Sequence, residues 1–169
     1  PVKKYDVVAI NVEITLNQWG DYYPGYTYVL RDDIKRVRAE EAKNEAARED
    51  ELDPGAVTNG LQGDAIQPLV IRANQGDCLR VTFSNELEDE DAGFQVNGSA
   101  MIISSSGLPA TAVSAGGITV AGESQDFEWM IPIDEQEGSH MIQSHAGRDP
   151  SSLGLTGVMI VEPKGSKYL

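Results

Sequence analysis

The sequence predicts an all-β fold, a Greek-key β-sandwich with one inserted surface α-helix near residues 32–49. Short runs rich in Val, Ile, Phe and Tyr recur along most of the chain, several with the two-residue alternation of a half-buried strand. Glycine, proline, asparagine and aspartate separate these runs, as in sandwich folds. One charged, alanine-rich stretch interrupts them. We therefore expect a single domain over residues 1–169, with a helix-loop insertion at 31–63.

The apolar runs predict seven to nine short strands. Most runs are four to seven residues long and end at turn-forming residues, which is typical of sandwich strands. The expected ranges are 5–16, 26–30, 69–73, 79–83, 100–103, 118–120, 127–131, 141–144 and 158–161.

The charged stretch predicts the one helix of the fold. Asp32 or Asp33 is suited to cap its first turn. Its apolar stripe is thin, because Ile34 and Val37 are followed only by alanines. We therefore expect a surface helix that lies along a sheet or against a partner.

The charge balance excludes two classes of partner. The chain carries 27 acidic and 13 basic residues, a formal net charge of −14. Such a surface repels nucleic acid and anionic lipid.

No apolar run is long enough to span a membrane. The N-terminus goes straight into a strand without the apolar core of a signal peptide, so the chain is either a mature form after processing or a piece of a longer polypeptide. Its end just past a predicted strand favours the second interpretation.

The single cysteine, Cys78, excludes an internal disulfide. It opens a strand pattern in which Leu79, Val81 and Phe83 share one face, so alternation places Cys78 on the other. A blue-copper centre needs a cysteine and two histidines, and neither histidine of this chain lies near Cys78 in sequence. We interpret it as a structural thiol.

Two short segments and the sequence after them resemble a known family. They are Ser104-Ser105-Ser106-Gly107-Leu108 and Gln143-Ser144-His145, followed by Gly154-Leu155-Thr156-Gly157-Val158-Met159-Ile160-Val161-Glu162-Pro163. The frame resembles the cupredoxin domain of multicopper oxidases, where the matching places read His-x-His-Gly-Leu, His-x-His and Gly-Leu-x-Gly-x-x-Ile-Val-Glu-Pro. The resemblance covers about residues 68–163. The N-terminal section resembles, more loosely, the first domain of large ceruloplasmin-like and manganese-oxidising members.

The resemblance implies a cupredoxin-like sandwich, copper as cofactor, and an extracellular or periplasmic location. It also implies further cupredoxin domains or sister chains as partners, in a homo- or hetero-oligomer. Ser104, Ser106 and Gln143 stand at three of the four ligand places, however, and their hydroxyl and amide groups are poor ligands for copper. We therefore expect a degenerate site and no copper in this chain.

His145 is the one retained ligand position and the first candidate for metal binding, with His140 as the second. If residues 138–145 are extended, alternation makes His140 and Ser144 face one way and Gln143 and His145 the other. The two imidazoles would then point apart. We expect the hydroxyls and the amide of the ligand places to satisfy one another and a buried water, and Met101 and Met141 to fill core or interface gaps.

Three functions remain open from the sequence. The first is a structural or assembly domain of a larger oxidase or oligomer, with a silent copper site. The second is one domain of an active metal- or phenol-oxidising multicopper oxidase whose ligands lie on other domains or chains. The third is a metal site built from His145 repeated by symmetry in an oligomer. We assign no catalytic and no cofactor-binding residue, and we do not expect this chain alone to be catalytic.

Overall fold

The computed structural model describes residues 1–49, 56–58, 63–97, 102–105, 118–146 and 153–167, with only the backbone of 102–105. Within these ranges the protein is an all-β sandwich with one α-helix, as the sequence predicts. The elements are β1 (Val2–Thr15), β2 (Tyr22–Leu30), a 3-10 turn (Arg31–Asp33), α1 (Ile34–Glu49), β3 (Leu69–Asn74), β4 (Cys78–Glu86), β5 (Ala92–Gly93), β6 (Gln95–Val96), β7 (Ile102–Ser105), β8 (Ile118–Thr119), β9 (Ser124–Met130), β10 (Gly138–Gln143) and β11 (Thr156–Glu162).

The strands form two principal sheets. The five-stranded sheet has the order β2-β1-β4-β9-β7, and the four-stranded sheet has the order β3-β11-β10-β6. Strands β5 and β8 pair separately. The β1–β4 and β3–β11 pairs are parallel, whereas the others are antiparallel. A tight turn with Gly76 at φ +80° takes the chain from β3 in one sheet to β4 in the other.

The main core lies between the two sheets and receives alternate residues of their strands. In β4, Leu79, Val81 and Phe83 are at most 1% exposed, so the inward face predicted for this strand is the one observed. The ring of Trp129 packs against Phe94 with centroids 5.8 Å apart. Burial of such large aromatic side chains contributes strongly to sandwich stability.

A second, smaller core lies between helix α1 and the outer face of β1. Val37 of α1 is fully buried among Val8, Ile10 and Val12. Val7 and Ala9, which alternate with them, face the main core, so β1 is buried on both sides. This explains why the first apolar run of the sequence is nearly continuous, and it confirms a helix lying along a sheet.

Polar residues continue the buried face of the helix beyond Val37. Asn44 is 2% exposed. Its side-chain amide donates to Thr58 Oγ1 and accepts from the Thr58 backbone N–H, both at 2.9 Å. The Glu40 carboxylate accepts hydrogen bonds from Thr58 Oγ1 at 2.8 Å and from the Ala65 N–H at 2.5 Å. The helix is therefore attached to the connection that follows it by hydrogen bonds, as well as to the sheet by apolar contacts.

Candidate functional site

Strand β10 and the residues after it carry both histidines of the chain, on opposite faces. His140, Ile142 and Ser144 are buried, whereas Met141 and His145 are exposed and Gln143 is half-buried. The alternation inferred from the sequence is thus present in the structure. It separates the two imidazoles, so they do not form one site.

His145 is held by its neighbours on the outer face. Its Nε2 lies 2.9 Å from the Gln143 side-chain nitrogen. An amide nitrogen can only donate, so the Nε2 lone pair accepts this hydrogen bond. The backbone N–H of His145 donates to Gln95 Oε1 at 3.0 Å. Gln95 lies on β6, the edge strand beside β10. These two hydrogen bonds engage one ring nitrogen and the backbone N–H of His145.

The inner side of the same segment fixes its position. Ser144 Oγ accepts from the Gly93 N–H at 2.9 Å and from the Ala146 N–H at 3.2 Å. The Tyr28 hydroxyl donates to the Gly93 carbonyl, and burial raises the pKa of this phenol strongly. A neutral phenol remains a hydrogen-bond donor at every physiological pH. The strand end that carries His145 is therefore anchored to the aromatic core.

The other ligand places are only partly within the described residues. Ser104 lies on β7, opposite Glu128 of β9, at the edge of the five-stranded sheet. Gln143 and β10 belong to the four-stranded sheet. Ser106 and Met101 lie outside the described residues. Met141 is 54% exposed, so it does not fill the core of this chain.

His140 has a buried acidic neighbour that the sequence did not indicate. Its Nε2 lies 3.9 Å from Glu135 Oε1, and both side chains are at most 10% exposed. Neither His140 Nε2 nor Glu135 Oε2 has a hydrogen-bond partner among the described residues. Glu135 lies five residues before His140, in the irregular connection between β9 and β10, so no periodic pattern indicated its position.

The side chains of the site that the structure describes do not fit copper. Among the described side chains, no three His, Cys, Asp or Glu groups come together as a metal site. Cys78 is half-buried on the outer face of β4, where partial burial first and the Glu128 carboxylate second raise the pKa of its thiol. A raised thiol pKa disfavours the thiolate that copper prefers. No chemistry through copper follows from these residues.

No protein-family model and no curated protein sequence match the chain. Solved structures do. The chain is similar to the copper-containing nitrite reductase of Thermus scotoductus SA-01, with 14% identity and a TM-score of 0.57. It is similar to that of Nitrosomonas europaea, with 15% identity and a TM-score of 0.59. The multi-copper oxidase of Pseudomonas thermotolerans is 20% identical, with a TM-score of 0.55.

These likenesses show that the fold is cupredoxin-like. They cover 100%, 100% and 98% of this chain, respectively. The chain in turn covers only 29%, 44% and 31% of those structures, less than half of each.

The helix of the described residues is not of the length and apolar character needed to cross a membrane.

Proposed function

We propose that this chain is a cupredoxin-like domain with a degenerate copper site, which serves as a structural or assembly domain of a larger oxidase or oligomer. The observation that carries the proposal is the hydrogen bond between Gln143 and His145 Nε2. Copper prefers imidazole, thiolate or thioether ligands, and a side-chain amide is a poor substitute for them. Here a side-chain amide stands at a ligand position and is hydrogen-bonded to one ring nitrogen of the neighbouring histidine.

The outer face of the four-stranded sheet supports the assembly role. Met141, Val158 and Val70 are cross-strand neighbours on β10, β11 and β3, and they form one row across this face. Met141 is 54% and Val70 51% exposed. Ile160, also partly exposed, follows on the same side of β11. An apolar row in register across three strands is typical of a surface that packs against another protein.

The partner we propose is a further cupredoxin domain or a sister chain. The apolar row carries no charge, and the adjacent Arg72 and Glu162 are paired with each other at 2.5 Å. Because the row is uncharged and its charged neighbours neutralise each other, this surface can pack against a second apolar sheet face, although the chain has a net charge of −14. The solved structures of this fold are more than twice as long as this chain, which is consistent with a domain that adjoins others.

The location that we propose is extracellular or periplasmic, and it depends on the multicopper oxidase resemblance alone. The looser resemblance to large ceruloplasmin-like and manganese-oxidising members belongs to the same proposal. The location and the looser resemblance concern the larger oxidase or oligomer of this proposal, not individual residues of this chain.

Metal analysis tests the silent site. The purified protein is loaded with Cu(I) and, separately, Cu(II), then dialysed against a chelator and measured by mass spectrometry of the metal. We expect far less than one copper per chain, because no described donor set suits the ion. One tightly bound copper per chain would contradict the proposal.

Sedimentation of the native protein tests the assembly role. We expect a particle heavier than the 18.3 kDa chain. Met141→Glu and Val70→Glu should dissociate it, because each places a charge in the apolar row. Val120→Glu is the matched control, since Val120 is 51% exposed but lies outside this row. A native particle of the mass of a single chain, or equal effects of all three variants, would contradict the role.

A further inference from the structure

A cavity of about 240 Å³ lies where helix α1 crosses the end of the β1–β2 hairpin. Its apolar walls include Ile14 of β1, Tyr23 and Tyr26 of β2, and Ile66. Glu40 and Asn44 of α1 form part of its polar side. Drug-sized ligands occupy about 300–1,000 Å³, so this cavity suits a smaller molecule.

The polar side of the cavity has a fixed geometry and a negative charge. Asn44 is held by Thr58, and the Glu40 carboxylate accepts from Thr58 and from backbone N–H groups of the same connection. Glu40 is the one charged residue among the described lining residues. The ion pairs of the described residues include none with Glu40. The cavity therefore has a carboxylate that pairs with no cationic side chain of the described part of the chain.

We propose that this cavity binds a small organic cation, an ammonium group on a compact apolar body. The ammonium is placed by the Glu40 charge, which is screened less in a partly enclosed cavity than on the open surface. The faces of tyrosine rings attract the same charge. Ile14 and Ile66 contact the apolar body. This binding site does not depend on the proposed assembly role, because it lies at the helix and not on the outer face of the four-stranded sheet.

Three probes of similar size and different charge test the proposal. They are 2-phenylethylammonium, 2-phenylethanol and phenylacetate, titrated into the whole chain by calorimetry and followed by two-dimensional amide NMR. We expect the cation to bind about tenfold more tightly than the alcohol, and phenylacetate to bind least. Amide shifts should be confined to residues around Tyr23, Tyr26 and Asn44.

Variants identify the groups responsible. Glu40→Gln should abolish the preference for the cation over the alcohol, whereas Glu45→Gln, on an exposed position of the same helix, should leave it unchanged. Because Glu40 also holds backbone groups, Tyr23→Leu gives an independent test. It keeps an apolar wall but removes a ring, so it should weaken binding of the cation more than that of the alcohol.

Several results would overturn the proposal. They are equal affinity for the three probes, no binding of any probe, unchanged selectivity in both Glu40→Gln and Tyr23→Leu, or amide shifts centred elsewhere. If Glu40→Gln unfolds the chain, as seen by circular dichroism, the ranking of the three probes and the Tyr23→Leu result still decide.

Discussion

The Gln143 side-chain nitrogen lies 2.9 Å from His145 Nε2, on the exposed face of the strand end that resembles a copper-ligand segment. The two residues are two positions apart, so they share one face of an extended chain. A histidine at position 143 would therefore place a second imidazole beside the first. The variant Gln143→His therefore tests whether one further imidazole is enough for metal binding at this strand end.

We predict that Gln143→His gains binding of Cu(II) and Zn(II), by about tenfold or more over the parent chain, because imidazole is a good ligand for both ions. Titration with each metal, followed by calorimetry, measures the change. The double variant Gln143→His/His145→Ala is the control and should lose the gain. A gain that persists without His145 would show that the two side chains do not form the site together.

The buried pair of His140 and Glu135 should be coupled in stability. Glu135→Leu and His140→Leu each leave a buried polar group without its neighbour, which costs about 1–3 kcal/mol. The double variant should cost less than the sum of the two by about 0.5 kcal/mol or more. Urea unfolding measures all three, with Glu137→Leu, at an exposed position of the same connection, as the control. Strict additivity would show that the pair does not interact.

Asn44→Ala should destabilise the protein by about 1–3 kcal/mol, because it leaves the Thr58 backbone N–H without its acceptor. Lys43→Ala, at the exposed neighbouring position, should change stability by less than about 0.5 kcal/mol. Urea unfolding gives the free energies, and hydrogen exchange of the Thr58 amide should accelerate only in Asn44→Ala. Equal effects of the two variants would contradict a specific role for Asn44.

Gly154→Ala should destabilise the protein by about 3 kcal/mol or more. Gly154 has φ +116°, and an added Cβ would lie 2.4 Å from the Tyr26 carbonyl oxygen, a backbone atom of β2. Gly122 has φ +84° and open space around it, so Gly122→Ala should cost only the backbone strain, about 1–2 kcal/mol. Thermal and urea unfolding compare the two. Similar losses of stability in the two variants would show that β2 shifts at little cost to make room for the Cβ added at position 154.

Cys78 should react slowly with a thiol reagent at neutral pH, and its rate should rise with pH. Partial burial and the Glu128 carboxylate raise the pKa of this thiol, so less of the reactive thiolate is present at a given pH. Glu128→Gln removes the second cause and should accelerate labelling at neutral pH. Asp126→Asn, a carboxylate on the same strand that is paired with Thr82, is the control. If Asp126→Asn accelerates labelling as much, a general charge effect explains the rate.

The fold was predictable where the chain repeats a local pattern. Alternation identified the buried face of β4 and separated His140 from His145, because a strand turns successive side chains to opposite faces. Helix α1 was predictable from its composition. The two-residue strands β5 and β6 were not, because no periodicity exists over so short a length.

The polar anchors of the helix were only partly predictable. Val37, Glu40 and Asn44 follow each other at intervals of three and four residues, which places them on one helix face. That spacing indicated a shared helix face, but the polar side chains of Glu40 and Asn44 suggested that this part of the face is exposed to solvent. In the folded chain, the connection after the helix comes back over this face. Thr58 and Ala65 of that connection form the hydrogen bonds with Asn44 and Glu40, respectively.

The sequence by itself determined the sandwich class and the helix, since both depend on residue type and local spacing. The tertiary structure alone decided that Glu135 lies beside His140, that Gln95 supports His145, and that a cavity opens beside Glu40. Gln95 and His145, like the residues around the cavity, come from segments far apart in the chain, and their distances are set by how the sheets and the helix pack. Glu135 and His140 are only five residues apart, but the irregular connection between them has no periodic pattern from which their contact could be predicted.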